Sequence, residues 1–136
     1  MGEERKSMGN GFVGSKVLLA QRYRDGVGVK QSDKKAIELY ETAAKRGNAT
    51  AQYNLGVYYE QGIYGLTQSF KRAIQYYTLA ASQGIAEAQN NLGGMYANGD
   101  SIEQSVSKAR ALWTKAAAQG QESAIKGLKQ LDKHGV

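Results

Sequence analysis

His134 is the only histidine, and no cysteine accompanies it anywhere in the chain. A Cys–His nucleophile, a thiolate metal site and a disulfide framework therefore lie outside the chemistry these residues offer. Glu38 and Glu41 stand at i, i+3, so a helix would carry both carboxylates on one face, as ordinary surface charges are carried. The glycines of GVGVK at 26–30 suggest a phosphate loop, but no strand pattern precedes them and their position marks a turn between helices. Neither a metal-ligand spacing nor a nucleophile elbow is found. No catalysis, cofactor or metal is expected.

What recurs instead is charge and aromatic residues in register. Lys34, Lys35, Lys71, Arg72 and Lys108 share a phase and form a basic edge, to which Lys45 and Arg46 add. Such an edge could dock an acidic protein segment or a phosphate backbone; the reading preferred here is a solvated start to a helix. Nucleic acid is further disfavoured because the tyrosines able to stack on bases fall on core positions. The formal charge of +6 is spread along the chain without a run of five or six like charges, so it favours acidic partners only weakly.

The phase comes from internal repetition. Residues 51–87, shifted forward by 37, land on a copy beginning at Ala88; shifted back by 36, they land on one beginning at Ser15. Self-similarity at such a period signals a solenoid. Each copy opens with a helix A, expected at 15–25, 51–61 and 88–98, whose stripe is Ala51, Leu55 and Tyr59 and its equivalents Ser15, Leu19, Tyr23 and Ala88, Leu92, Tyr96. Gly26, Gly62 and Gly99 close these helices. After a loop of about seven residues, for which Ser32, Asp33 and Ser69 are candidate caps, helix B is expected at 33–46, 70–83 and 106–119. Its stripe is Ala36, Tyr40, Ala43, Ala44, then Ala73, Tyr77, Ala80, Ala81, then Ala109, Trp113, Ala116, Ala117, with Gly47, Gly84 and Gly120 behind it. Paired alanines let helix backbones approach closely, while the ring fills the space one turn away.

A further start follows Gly120: Ala124 and Leu128 stand 36 after Ala88 and Leu92, but no helix B comes after. Lys126, Lys129, Gln130 and Lys133 make that last helix polar, as a terminal cap requires. The organisation expected is a tail or degenerate helix at 1–14, with the tail preferred, repeats at 15–50, 51–87 and 88–123, and a capping helix and tail at 124–136. That makes an all-α chain of about seven antiparallel helices.

The pattern A-x-x-x-L-G-x-x-Y-x-x-G, then K-A, Y or W, and A-A-x-x-G, resembles the Sel-1-like repeat, a longer-looped relative of the tetratricopeptide repeat, over about residues 14 to 133. The resemblance implies a right-handed α/α superhelix that serves as an adaptor or scaffold in protein complexes. The chain departs from the pattern in Leu19-Ala20 where Leu-Gly is usual, in an extra loop residue near Tyr64, and in Phe70 and Val106 where the acidic Asp33 stands in copy one. Those two apolar residues either form a contact surface or, the preferred reading, tuck under the loop. The cysteine pairs of the family's secreted branch are missing, so its disulfides and penicillin-binding chemistry are not carried over.

If the array resembles tetratricopeptide arrays, helix A lines a concave groove. Its positions would be Val17, Gln21 and Arg24; Tyr53, Val57, Glu60 and Gln61; and Asn90, Gly94, Ala97 and Asn98, with Lys126 and Gln130 added by the cap. This set does not reproduce the lysine and asparagine clamp by which some tetratricopeptide domains hold a C-terminal carboxylate. Tyr53 is the candidate anchor; packing against the neighbouring helix would occupy it equally well. The function expected is non-catalytic binding of a protein or peptide. Electrostatic binding of acidic ligands or nucleic acid at the basic edge is the alternative, as is a fragment of a larger protein whose activity lies elsewhere. No signal peptide or apolar stretch long enough to span a membrane is visible, which favours a cytoplasmic setting.

Overall fold

A computed structural model of the chain describes the backbone of residues 2–135 and the side chains of residues 14–135. Seven helices and no strand occur among the described residues: α1 (Gly2–Asp25), α2 (Asp33–Lys45), α3 (Ala49–Gln61), α4 (Phe70–Ser82), α5 (Ala86–Asn98), α6 (Val106–Ala118) and α7 (Glu122–Lys133). Each helix packs on its neighbours in the chain, and α5 also touches α7. The result is an all-α superhelix of stacked pairs in which local interfaces carry the stability. The expectation of a tail or degenerate helix at 1–14 falls on side chains outside the described ones, apart from Gly14.

The boundaries follow from capping. Ser32, Ser69 and Ser105 have extended backbone, and each hydroxyl accepts from the N–H three residues on, at Lys35, Arg72 and Lys108. Ser32 therefore caps α2, and Asp33 is the first helical residue rather than the cap. Helix α3 begins two residues before the expected Ala51 because the Asn48 side chain accepts from Ala51 N at 2.8 Å. At the other ends Gly26, Gly62 and Gly99 have φ of 70°, 66° and 75°, the left-handed region that a helix C-terminus exploits. The longer loop of the second repeat turns through two further positive-φ residues, Tyr64 and Gly65. Tyr64 is held there by an edge-on contact with Tyr58, ring centroids 4.7 Å apart.

Two clusters form the core, one centred on Tyr40 and Leu55 and the other on Tyr77 and Leu92. Tyr40, Tyr77 and Leu55 are the largest side chains wholly removed from solvent. The first repeat corrects the expected stripe: Ser15 and Leu19 are exposed, and Val17 and Ala20 are buried instead. The equivalents Leu55 and Leu92 are buried beneath the helix B of the preceding repeat, through the α2·α3 and α4·α5 contacts. No helix B precedes α1 among the described residues. Trp113 and Ala117 are only half-buried, unlike their equivalents Tyr40, Tyr77, Ala44 and Ala81. Phe70 packs against the second cluster as the tucked reading requires.

A polar clamp joins the repeats. Gln52 and Gln89 are buried, and their side-chain nitrogens donate to Ala44 O and Ala81 O, both at 3.2 Å. Their carbonyl oxygens accept from Gln83 at 2.8 Å and Gln119 at 3.3 Å, which also donate to Gly47 O and Gly84 O. Each clamp thus ties the end of one helix B to the next repeat's helix A and helix B. Removing a buried partner leaves polar groups unsatisfied. Gln89→Ala should therefore lower the unfolding free energy in urea by about 1–3 kcal/mol, while exposed Gln61→Ala should stay within about 0.5 kcal/mol. Equal losses would show that the clamp adds nothing.

Candidate functional site

The helix-A face is assembled by aromatic residues that reach it from helix B. In the second repeat the Tyr77 hydroxyl crosses from α4 and donates to Glu60 Oε1 at 2.5 Å. Asn91 of α5 donates to the same hydroxyl at 3.3 Å, and the Asn90 side chain donates to Asn91 at 3.3 Å. The Tyr53 ring lies 6.0 Å from that of Tyr77, tilted by 39°. Glu60, Tyr77, Asn91, Asn90 and Tyr53 thus make one connected patch across two repeats. Burial raises the Tyr77 hydroxyl well above the usual phenol range, and the adjoining Glu60 carboxylate adds to the shift. Tyr53 is raised in the same direction, by burial first and then by Glu87.

In the first repeat the position equivalent to Glu60 is Arg24. Its Nη1 donates to the hydroxyls of Tyr58 (2.5 Å) and Tyr40 (3.2 Å), while Nε and Nη2 hold Asp25 at 3.0 and 3.1 Å. The Asp25 carboxylate, with the tyrosine hydroxyls behind it, raises the Arg24 pKa further above its ordinary value. In the third repeat the position is Ala97, and Trp113 Nε1 donates to Asn90 O at 3.0 Å. The row therefore reads cation, anion, methyl along successive repeats, and in the first two the charged group is bonded to the helix-B tyrosine hydroxyl.

Glycine makes room for those rings. A methyl group built on Gly56 would stand 2.6 Å from the Tyr77 ring, and one on Gly93 would stand 2.6 Å from Trp113 Nε1. On the far side of Trp113, a methyl on Gly127 would lie 2.8 Å from Cε3. Gly127 is in phase with Asn91, so the larger indole is matched by a smaller neighbour.

Of the groove positions expected from the sequence, Val17 is corrected: it is buried in the first core cluster among residues that include Ala36 and Tyr40. Gln21, Arg24, Tyr53, Val57, Glu60, Asn90, Gly94 and Ala97 are half-buried, and Gln61, Asn98, Lys126 and Gln130 are exposed. Tyr58, bonded to Arg24, and Asn91, bonded to Tyr77, join these residues and were missed; Tyr58 is buried on α3, where the in-phase residues are Arg22 and Met95.

Along the basic edge, Lys34, Lys35, Lys71, Arg72 and Lys108 are all exposed. Three of them sit over rings of their own repeat: Lys35 over Tyr23 at 5.3 Å, Arg72 over Tyr59 at 5.5 Å and Lys108 over Tyr96 at 5.3 Å. That recurrence gives the in-phase cations a role within each helix pair. Among the described residues, no cluster of three His, Cys, Asp or Glu side chains could hold a metal ion, and no helix is long and apolar enough to cross a membrane.

The Sel1 repeat model matches residues 15–48, 49–85 and 86–121. Among solved structures, a Sel1 repeat protein from Oxalobacter formigenes superposes with a TM-score of 0.86 at 28% identity, over 90% of this chain and 49% of its own. Protein c5321, a protective antigen of uropathogenic Escherichia coli strains that displays an SLR fold, also gives 0.86, at 32% identity, over 97% of this chain and 28% of its own. The chain thus spans about half of one relative and under a third of the other. No curated protein matches it in sequence.

Proposed function

The chain belongs to the Sel1 repeat family, and we propose that it is a non-catalytic module that binds a protein or peptide partner on the concave face formed by its A helices. Sel1 repeat proteins generally mediate protein–protein interaction, and the fold is a repeat scaffold rather than an enzyme framework. The observation that carries the assignment to this face is the connected patch around Tyr53. Tyr53, Glu60, Asn90 and Asn91 are half-exposed around the buried Tyr77, which hydrogen bonds to Glu60 and Asn91 and a ring contact with Tyr53 fix on rigid helices. Aromatic groups fixed in this way supply contact area at low entropic cost.

The test is a quantitative pull-down from a lysate of the source organism that compares three proteins. These are the native chain, the double variant Tyr53→Ala/Asn90→Ala, and a charge reversal at Lys34, Lys35, Lys71 and Arg72. Circular dichroism should first establish that each remains helical. Loss of the same partner from the first variant alone is the expected result, with a drop in affinity of about tenfold or more. Loss from the charge reversal alone, steepening with salt, would move the site to the basic edge.

A further inference from the structure

A second surface lies on the helix-B side, where the long loop of the second repeat folds over α2. Ile37, Tyr64 and Leu66 provide apolar walls for a cleft of about 480 Å³, a volume within the range of binding clefts. Asp33, Glu38 and Glu41 stand on its rim, with Lys34 as the only counter-charge among the lining residues. From these features we propose that the cleft docks a segment of a partner protein that presents an apolar side chain flanked by lysine or arginine.

The repeat itself provides the comparison. At the positions of Asp33, Glu38 and Glu41, the second repeat carries Phe70, Gln75 and Thr78, and the third carries Val106, Ala111 and Thr114. No acid recurs, so the scaffold does not require one at any of the three. Asp33 in the first turn of α2 has a helix-dipole reason to be acidic. Glu38 and Glu41 stand beyond that turn and have none. The loop is also specific to this junction, because only the second repeat has the additional residue that carries Tyr64, Gly65 and Leu66 out over α2. Three carboxylates around an apolar floor, on a chain whose formal charge is +6, select a basic and apolar ligand.

This surface is distinct from the helix-A face, and its test can fail independently. The probe is a fluorescein-labelled synthetic peptide with one leucine between pairs of lysines, titrated against the full chain by anisotropy. Matched peptides replace the lysines with glutamate or the leucine with alanine. The expected result is saturable binding of the Lys–Leu–Lys peptide and none of its glutamate counterpart. The alanine peptide and the Glu38→Gln/Glu41→Gln variant should each weaken binding about tenfold, while Tyr53→Ala/Asn90→Ala should leave it unchanged. No binding, equal binding of the leucine and alanine peptides, or indifference to the glutamate substitutions would overturn the proposal. So would self-association abolished by Glu38→Gln/Glu41→Gln, which would place a second copy of this chain in the cleft.

Discussion

Tyr77→Ala should cost about 3–5 kcal/mol of unfolding free energy, the range for emptying a fully buried aromatic site. The ring has no solvent exposure, lies against Gly56, and fills the second core cluster between α3, α4 and α5. Its hydroxyl is the hub that joins Glu60 to Asn91, so truncation also strips two polar groups of their partner. Tyr77→Phe separates the two contributions. It keeps the ring and should cost about 0.5–1.5 kcal/mol, the net worth of an ordinary hydrogen bond. Urea denaturation followed by circular dichroism provides the measurement. A loss below about 0.5 kcal/mol for Tyr77→Ala, the scale of a surface substitution, would show that the stripe is not core.

Gly93→Ala should destabilise the chain by about 1–3 kcal/mol, the usual range for overpacking. Two effects of opposite sign meet at this position. Helix propensity alone favours alanine over glycine inside a helix by about 1 kcal/mol. The added methyl, however, would stand 2.6 Å from Trp113 Nε1, and the indole cannot retreat freely because Gly127 closes on its other face. The steric term should win, and Trp113 fluorescence should shift as the ring is displaced. Gly94→Ala is the control: nothing lies within 4 Å of its built methyl, so propensity should act alone and stabilise. If both substitutions stabilised, the close approach of α5 to Trp113 would be contradicted.

These two predictions show why part of the molecule was legible in the sequence. A packed repeat must return its large and small residues in phase, and Tyr40, Tyr77 and Trp113 among paired alanines do so; that Gly56 and Gly93 face two of these rings emerged only with the fold. The closing glycines were legible for a similar reason, since a left-handed residue is needed wherever a helix turns into the next. The glutamine clamps were not. A glutamine on an amphipathic helix reads as surface, and only the recurrence of Gln52 with Gln89 and of Gln83 with Gln119 could have marked them as structural. The cations over Tyr23, Tyr59 and Tyr96 were found as a ladder, but their rings stand on another helix, so the pairing needed the fold.

The candidate site was legible in outline. Helical phase gives the face of helix A, and Tyr53, Glu60 and Asn90 fall on it. Phase alone does not tell which side of that face meets a neighbouring helix. Val17 therefore turned inward, and Asn91 joined the surface through a hydroxyl delivered by the preceding helix B. Leu19 shows the same limit from the other direction, because burial at a repeat position depends on a neighbour as well as on the residue itself.

Site-specific photo-crosslinking distinguishes a partner bound on the helix-A face from one bound on the helix-B side. A photoreactive side chain placed at Val57 should form a covalent adduct with the captured partner, and one placed at Gln75, exposed on helix B of the same repeat, should not. Adducts from Gln75 with none from Val57 would contradict the account and move the binding surface to the opposite side of the array.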